Sequence, residues 1–478
     1  MHSNTLLNKM IKPKQPDEKK QYRVLFMNHP STGHVNTLLS IALQMREEGH
    51  SVHFLIPDGE KASNGLLKGF SMVQTVAQVP RILQEHNLPF DSLSVPIKAK
   101  LACLPLSLTT GYSELCYAMN LFNIGIKHYV ISVIEYLALR EFDVLVTDFA
   151  FISGHLAAEV TGIPCAVVYH SGLPFKGDVV PPFGSGLPIG DQNGKKNRRI
   201  SRREKRFLRH LDGRCNKVRA KWHLEPMAPE YLRRPYSHWL NLVMSSEVIE
   251  APRNNLSNNT FYVGPCFSHR KQHKEGSSHD LLDKDKFKIY VSLGTVFNNK
   301  PHVFEKIIKG LNHKDYQVIV SAGGAYKALK RLSIPDNVVL LPWVQQTTLL
   351  PLIDMVISHG GNHTTNETLA AGKPLIVMPV GGEQADNARR VEYLEAGLAM
   401  ALQGFSSTEL ACKVAQIKDE TKYLNRVSEI KQVLDKTDGA KIASQLIQRL
   451  AQTQQSLIRP STLPLSLTLE DSDLLKAL

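Results

Sequence analysis

Short apolar runs alternate with helical patterns in the first third of the chain. Residues Val24 to Met27 form an apolar run that predicts a buried strand. Apolar residues then recur every three or four positions from Val35 to Met45, which predicts a helix, and Gly49 ends it. The same strand, loop, helix and strand pattern returns between Val144 and Tyr169. Alternation of this kind predicts a parallel, doubly wound α/β sheet.

A polar, charged segment interrupts this pattern near the middle of the chain, and the pattern then restarts at Phe287. We therefore expect two α/β domains of similar size whose strands end on opposite sides of a cleft. Open α/β sheets bind ligands at the carboxyl ends of their strands, so this cleft is the expected site. The predicted divisions are a flexible lead (1–21), an N-terminal domain (22–265), a linker (266–286), a C-terminal domain (287–450) whose last helix can cross back, and a tail, partly ordered at most (451–478).

Composition places the chain among ordinary globular proteins. Of its 478 residues, 42% are hydrophobic and 21% are charged, which excludes a disordered or fibrous protein. The six cysteines are widely spaced without a C-x-x-C pair, so a disulfide framework and a structural zinc site are both disfavoured and the cytoplasm is the expected location. The longest apolar-leaning stretch, Leu121 to Leu139, contains charged residues, and no transmembrane helix is expected.

Most of the positive charge lies in one segment. The formal net charge is +13, and the segment from Lys195 to Lys221 holds thirteen basic residues against two acidic ones, a balance of +11. The ordinary interpretation is a solvated helix face. The functional one is peripheral contact with an anionic membrane surface that presents a lipid-like acceptor. Nucleic acid is an unfavoured partner, because aromatic residues are not interleaved with the basic ones.

The stretch from Trp343 to Asn387 carries the most chemical information. An apolar run ends at His359, and two glycines then turn into a predicted helix. The unpaired N–H groups and positive dipole end of such a helix suit a phosphate, to which His359 and Thr364 can also donate. Glu367 can accept hydrogen bonds from a diol such as ribose. Trp343 can stack on a flat base.

Farther along, Glu383 and Gln384 follow the next predicted strand and suit sugar hydroxyls. Each of these features alone is common in proteins of other functions, but their order within 45 residues is specific. The stretch resembles the nucleotide-sugar signature of the UDP-dependent glycosyltransferases of the GT-B fold, which include plant, macrolide and carotenoid types. The resemblance extends over about residues 22–450 and implies two Rossmann-like domains that face each other across a cleft.

The resemblance implies a role for each matching position. Trp343 would stack on uracil, the Val344 backbone would bind the edge of the base, and Glu367 would bind the ribose. The other donor-site residues implied are Gln346 in the uracil loop, His359, Gly361 and Thr364 at the diphosphate, Thr295 near it in the Ser292–Thr295 loop, and Glu383 with Gln384 at the sugar. The chain departs from the family pattern at Gln345, usually Pro, and at His363, often Asn.

His34 and Asp148 are the candidate catalytic residues. His34 follows the first strand and Asp148 follows a later buried one, so both belong at strand ends that face the cleft. A histidine oriented by a carboxylate can remove a hydroxyl proton, as in the serine hydrolase triad. The residues alone also allow structural roles, with His34 and Asp148 capping helices. The resemblance implies the catalytic roles, because the family has its His and Asp at these positions.

We therefore expect an inverting transfer of a hexose, with glucose as the expected sugar, from a UDP-sugar to a hydroxyl of a small apolar acceptor. The loop from His170 to Gly190 is similar in style to the acceptor loops of carotenoid and macrolide enzymes, which makes Phe175 and Phe183 acceptor-side candidates. No cofactor and no metal are expected, since the helix N-terminus would stabilise the leaving diphosphate. The alternatives are a UDP-sugar epimerase-like enzyme and a non-catalytic sugar-nucleotide or lipid-surface binding protein.

Overall fold

The computed structural model describes residues 21–28, 32–57, 71–94, 124–170, 172–190, 194–229, 231–267, 282–294, 299–475 and 478. Within them, the first parallel sheet has seven strands in the order β3-β2-β1-β4-β5-β6-β7. Its strands are β1 (Arg23–Met27), β2 (Ser51–Pro57), β3 (Phe90–Leu93), β4 (Val144–Asp148), β5 (Cys165–His170), β6 (Leu240–Met244) and β7 (Thr260–Tyr262). Strand order reverses between β1 and β4, so a crevice opens at their carboxyl ends.

The second parallel sheet has six strands among the described residues, in the order β10-β9-β8-β11-β12-β13. Its strands are β8 (Phe287–Ser292), β9 (Tyr316–Ser321), β10 (Val338–Leu341), β11 (Met355–Ser358), β12 (Leu375–Val377) and β13 (Gly397–Ala399). The order reverses between β8 and β11, where Ser292 is paired with Ser358. Both sheets are therefore doubly wound, and the predicted fold class is confirmed.

Helices cover both sheets. In the N-terminal domain they are α1 (Thr32–Glu47), α2 (Ser71–Glu85), α3 (Ile126–Leu139), α4 (Ile152–Thr161) and α5 (Lys195–Lys221). Those that follow are α6 (Pro301–Gly310), α7 (Tyr326–Leu329), α8 (Gln346–Leu349), α9 (Asn362–Ala370), α10 (Gln384–Tyr393), α11 (Ser407–Asp419), α12 (Thr421–Leu434), α13 (Gly439–Thr453) and α14 (Ser472–Leu475). No helix within the described ranges is long and apolar enough to cross a membrane.

The central strands are buried on both faces, as expected of a parallel sheet with helices on each side. In β1 the residues from Val24 to Met27 are all fully buried, and Phe26 stacks on Phe54 of β2 with ring centroids 5.2 Å apart. The second sheet separates two further clusters of buried apolar side chains, one around Phe304 and one around Leu369. The strand ends are thereby held on rigid layers, which fixes the loops that follow them.

The chain returns to the N-terminal domain after its second sheet. Apolar residues of α13 lie in the same core cluster as β1, and Ser444 of α13 donates a hydrogen bond to Glu48 at the end of α1. The two domains are therefore joined by this crossing helix as well as by the segment before β8.

The segment predicted as a tail, 451–478, differs from that expectation. The Tyr262 N–H of β7 donates to the Leu465 carbonyl, and the Leu467 N–H donates to the Tyr262 carbonyl, at 2.9 and 2.8 Å. Leu463 and Leu467 are buried in the N-terminal core. The segment thus covers the edge strand of the first sheet, where unpaired backbone groups would otherwise be exposed. Most of the predicted lead (1–20) and of the predicted linker (268–281) lies outside the described residues.

Candidate active site

A glycine turn follows β11 and leads directly into helix α9. Gly360 has a φ of +83°, and a Cβ on it would lie 2.4 Å from Val377 Cγ1, so only glycine fits this position without strain. Gly361 is the N-cap residue of α9, where no side chain caps the helix. The first N–H groups of an α-helix lack partners within the helix. The N-terminus of α9 is therefore of the kind that suits an anionic group, and its use for a diphosphate stays a prediction.

His359 lies against two glycine backbones at this turn. A Cβ on either Gly294 or Gly361 would lie 2.6 Å from His359 Nε2, so both positions need glycine for the ring to fit. Burial lowers the pKa of His359 to about 4, although a backbone hydrogen bond at Ser292 opposes the shift. The buried Nδ1 atom of His359 has no hydrogen-bond partner. The imidazole is thus neutral at physiological pH and retains an unused polar atom beside the α9 N-terminus.

Two amide side chains of α10 hold the turn and the loop that precedes the helix. Asn387 Nδ2 donates to the Gly360 carbonyl at 2.7 Å and to Asn362 Oδ1 at 2.8 Å. Gln384 Oε1 accepts from the N–H groups of Val380 and Gly381 at 2.8 and 3.1 Å. The oxygen of Gln384 is therefore used within the protein, and sugar contacts in this region would fall to Glu383 and to the Gln384 nitrogen.

The residues predicted at the base and ribose lie on neighbouring elements. Trp343 follows β10 and is 49% exposed, which leaves a ring surface open for stacking. Val344 is partly buried against the core of the second domain. Gln346 of α8 donates a hydrogen bond to Glu367 Oε2 of α9, so the loop after Trp343 is tied to the proposed ribose carboxylate. Thr364 is half-buried on the first turn of α9. Thr295 lies outside the described residues.

The N-terminal domain brings two histidines to one carboxylate. Asp148 Oδ2 lies 2.7 Å from His34 Nδ1 and 2.8 Å from His170 Nε2, and Asp148 is fully buried. His170 Nδ1 in turn lies 3.1 Å from the Thr37 hydroxyl, one helical turn beyond His34 on α1. The predicted His34–Asp148 pair is thus brought together. His170 was missed by sequence reasoning, although it ends β5 beside the strand that Asp148 ends.

Burial and charge act in opposite directions on these three groups. Burial disfavours the His34 imidazolium, but the charge and hydrogen bond of Asp148, with the charge of Glu383, raise the pKa of His34 above its usual value. Burial would raise the pKa of Asp148, yet His34 and His170 hold it well below its ordinary value. Burial and the adjacent His34 lower the pKa of His170. The carboxylate is therefore charged, and His34 is the histidine better able to take up a proton.

Contacts across the cleft join the N-terminal domain to the C-terminal domain. His363, on the first turn of α9, places Nε2 3.0 Å from the carbonyl oxygen of Gly33, the residue before His34. A buried ion pair joins Arg390 of α10 to Glu250 of the N-terminal domain at 2.9 Å. His363, a departure from the family pattern, therefore contributes to the interface between the domains.

The predicted acceptor loop also reaches across the cleft. Asp386 of α10 accepts hydrogen bonds from the N–H groups of Gly184 and Gly186. Loss of water raises the pKa of Asp386 to about 6, against the effect of these two bonds. Phe183 is half-buried in this loop, whereas Phe175 is buried against Tyr169 in the domain core. Phe183 is consequently the better placed of the two to meet an acceptor.

Two groups of described side chains could hold a metal ion. In each group, potential ligand atoms lie within 4.8 Å of one another: His34, Asp148 and His170 form one group, and His155, Glu159 and His238 form the other. In the first group, both histidines already make hydrogen bonds to Asp148 Oδ2. A metal ion there would replace the proton shared between His34 and Asp148, so the same atoms cannot serve both arrangements at once.

Comparison with known proteins agrees with this geometry. Residues 228–436 match the family described as UDP-glucoronosyl and UDP-glucosyl transferase. The NDP-glycosyltransferase YjiC of Bacillus subtilis (strain 168) is 24% identical over 432 residues, which cover 89% of the chain and 96% of that protein. The chain has the sequence signature and the fold of a GT-B glycosyltransferase.

Solved structures of glycosyltransferases share this fold. The glycotransferase of kitacinnamycin has a TM-score of 0.68 at 17% identity, with 91% of the chain and 99% of that structure covered. The glycosyltransferase VinC, solved in complex with dTDP, has a TM-score of 0.57 at 16% identity, with 90% of the chain and all of that structure covered (100%). The descriptions of the matched family and of YjiC both support transfer of a glycosyl group from a nucleotide-sugar donor.

Proposed function

We propose that the protein is an inverting glycosyltransferase that moves a hexose, glucose in the first instance, from a UDP-sugar to a hydroxyl of a small apolar acceptor. The observation that carries this proposal is that the candidate base in the N-terminal domain lies close to the N-terminus of α9 in the C-terminal domain. His34, oriented by Asp148 at 2.7 Å, lies one residue from Gly33, whose carbonyl contacts His363 on the first turn of α9 at 3.0 Å. A base and an anion-binding helix terminus thus face the same space.

His34 is the catalytic base of this proposal. Its Nδ1 lies 2.7 Å from Asp148 Oδ2, so the proposal assigns the acceptor's hydroxyl proton to the other ring nitrogen, Nε2. The hydroxyl oxygen bonds to the anomeric carbon as the bond from that carbon to the phosphate oxygen breaks. UDP leaves with the electron pair, on the face opposite the attack, which inverts the anomeric configuration. The N-terminus of α9 would stabilise the charge that develops on the diphosphate.

Uridine is the proposed base of the donor. Trp343 offers an exposed ring for stacking, and Glu367 offers a carboxylate for ribose hydroxyls, held by Gln346. Uridine and thymidine nucleotides differ at the ribose 2′-hydroxyl and at the base methyl group. A site that uses Glu367 to accept from the 2′-hydroxyl would favour UDP over dTDP, because the deoxyribose leaves that carboxylate without its partner.

Calorimetric titration with UDP, dTDP and UDP-glucose tests the donor. We expect UDP to bind more tightly than dTDP, and Glu367→Ala to remove most of that difference. The matched control is Glu305→Ala, which removes an exposed carboxylate of α6. Equal affinities for UDP and dTDP in the wild type would contradict the proposed uridine preference.

The His34→Ala variant tests the chemistry. It should lose nearly all transfer to an acceptor alcohol while it keeps the UDP affinity of the wild type. The proton coupling constant at the anomeric carbon of the product reports whether the configuration has inverted. A donor sugar altered in the absence of any acceptor would favour the epimerase alternative. Unchanged activity in His34→Ala would contradict the assignment of His34 as the base.

Metal independence is a further part of the proposal. The ligand atoms of His34, Asp148 and His170 are engaged with one another through hydrogen bonds, which suits proton transfer. Transfer rates should therefore be unchanged after dialysis against EDTA. A rate that falls and then recovers on addition of Mg²⁺ or Mn²⁺ would contradict this part of the mechanism.

We also propose that the protein acts in the cytoplasm. The described cysteines Cys165, Cys215, Cys266 and Cys412 are free thiols, and the first three are buried. A reducing compartment maintains such thiols. Fractionation of the source cells, with the protein followed by antibody, should recover it with cytoplasmic proteins or with membranes from which high salt releases it, and recovery with exported proteins would contradict this location.

A further inference from the structure

Helix α5 has one face in the domain core and an opposite face that is almost entirely cationic. Its apolar side chains, such as Leu208, Leu211 and Val218, are buried, so the helix lies firmly on the domain. Both of its acidic residues, Glu204 and Asp212, are also buried. Eleven of its thirteen lysine and arginine side chains are exposed. The outward face of the helix therefore presents positive charge with no exposed carboxylate of its own.

The dimensions of this cationic face suit an extended anionic surface. The helix has 27 residues, which corresponds to a length of about 40 Å at 1.5 Å per residue. The Debye length at physiological salt is about 8 Å, so each charge acts mainly on groups that lie directly against the helix. Because the cationic face is several times longer than this distance, its partner needs an extended anionic surface. Since the apolar side chains face the core, the contact would involve lipid headgroups and would not require insertion into the acyl chains.

The cationic helix is attached to the acceptor side of the cleft. Lys176, in the loop between β5 and α5, donates a hydrogen bond to Ser201 of the helix at 3.2 Å. Farther along the same loop, Gly184 and Gly186 bind Asp386 across the cleft. One continuous loop thus links the cationic face to the space in which the acceptor is proposed to bind.

We propose that the exposed face of α5 binds an anionic lipid bilayer and that the acceptor reaches the cleft from that surface. The second half of this inference rests on the proposed function, because it identifies the acceptor class as apolar alcohols that partition into membranes. A bilayer fits this surface better than a nucleic acid does. The larger apolar side chains of α5 face inward, and Phe207, which is its one Phe, Tyr or Trp residue, packs against the core, so the imidazole of His210 is the one exposed ring of the helix.

Vesicle sedimentation tests the first half directly. The full-length protein is mixed with vesicles of phosphatidylcholine containing 30% phosphatidylglycerol, or with vesicles of phosphatidylcholine alone, at about 0.15 M salt. Arg198, Arg202 and Arg206 are exposed and lie four residues apart on one stripe of the helix. Their simultaneous replacement by Gln should weaken binding to the anionic vesicles roughly 100-fold, since each basic residue near such a surface contributes a factor of about five.

A matched control replaces three exposed lysines elsewhere, Lys309, Lys314 and Lys441, by Gln. This variant changes the net charge equally, and we expect no more than a threefold loss of vesicle binding. Equal losses in both variants, or equal binding of the wild type to charged and neutral vesicles, would overturn the proposal. Tighter binding to a 20-base-pair DNA duplex than to anionic vesicles would overturn it in favour of nucleic acid.

Hydrogen exchange and UDP titration separate this inference from the proposed function. Anionic vesicles should slow exchange in α5 and in the loop 172–190 of the wild type, and should leave α6 unchanged. Protection of α6 instead would contradict the proposed orientation. The triple arginine variant should bind UDP as the wild type does. Loss of UDP binding in that variant would show that α5 supports the donor site, and the membrane role would then be rejected.

Discussion

Asp148→Asn is the most informative single change, because the structure predicts how it would rearrange the proton on His34. In the wild type, Asp148 Oδ1 accepts from the Ala150 N–H at 2.7 Å, while Oδ2 accepts from His34 and His170. Asparagine has one oxygen, and the Ala150 N–H requires it. Its amide NH₂ would then face His34 Nδ1, which would have to become an acceptor.

That change places the ring proton of His34 on Nε2, the atom that must accept the hydroxyl proton. General-base catalysis contributes about 10²–10⁴-fold to rate, and the wrong tautomer forfeits most of it. The charge-assisted hydrogen bond that stabilises the imidazolium is also lost, at about 1.5–3 kcal/mol. We therefore expect kcat to fall about 10²–10⁴-fold, with UDP affinity unchanged.

The pH profile provides a second readout of the same change. The proposed mechanism needs neutral His34. Because the pKa of His34 is raised, kcat/KM of the wild type should rise as the pH rises through that pKa. In the variant, burial is no longer opposed by Asp148, so the pKa of His34 should fall and the acid limb should move to lower pH.

Asp91→Asn is the matched control for this experiment. Asp91 also binds a histidine, His53 at 3.1 Å, but it lies on β3, on the far side of β2 from β1. Its replacement should change neither the maximal kcat/KM nor the pH range over which kcat/KM falls on the acid side. A kcat for Asp148→Asn within threefold of the wild type, or an acid limb that does not move, would refute the assigned role of Asp148.

Three further predictions concern the nucleotide side and the domain contact. Gly294→Ala should weaken UDP binding at least tenfold in calorimetry, because the new Cβ would displace His359; unchanged affinity would place the diphosphate elsewhere. Trp343→Ala should weaken UDP binding about tenfold with the melting temperature unchanged, and a shift in melting temperature alone would indicate a structural role. Glu250→Gln should reduce the free energy of unfolding by about 3–5 kcal/mol in chemical denaturation, because it removes the negative charge that neutralises buried Arg390, and a change under 1 kcal/mol would contradict this account.

The elements of the site that depend on local sequence are the ones that sequence reasoning predicts well. The turn at Gly360 and Gly361 is specified by residues within it and by the apolar run before it, and the structure has β11 at Met355–Ser358. The meeting of His34 and Asp148 follows from a general property of parallel sheets, because Asp148 ends β4 and His34 lies on the helix that follows the adjacent strand β1.

Contacts between residues far apart in sequence escaped prediction. His170 reaches Asp148 because β5 pairs with β4, and the order of strands in a sheet is set by packing that no local pattern records. Asn387 holds the turn at Gly360 from a helix 27 positions away, although an asparagine that follows Glu383 and Gln384 by one helical turn was a usable signal. Residues 465–467 pair with the edge strand β7. The sequence around them has no hydrophobic period, so the pattern alone predicts a tail.

His363, where the chain departs from the glycosyltransferase pattern that it resembles, lies at the contact between the two domains. His363 lies on the first turn of α9, the helix proposed to bind the diphosphate, and contacts the carbonyl of Gly33. The residue that follows Gly33 is His34, the proposed base. Glu383, at the start of α10, raises the pKa of that base through its charge. Both effects come from the C-terminal domain, so the surroundings and the proton affinity of His34 depend on residues of both domains. In the proposed mechanism, the contact between the domains would therefore influence the base as well as the donor site.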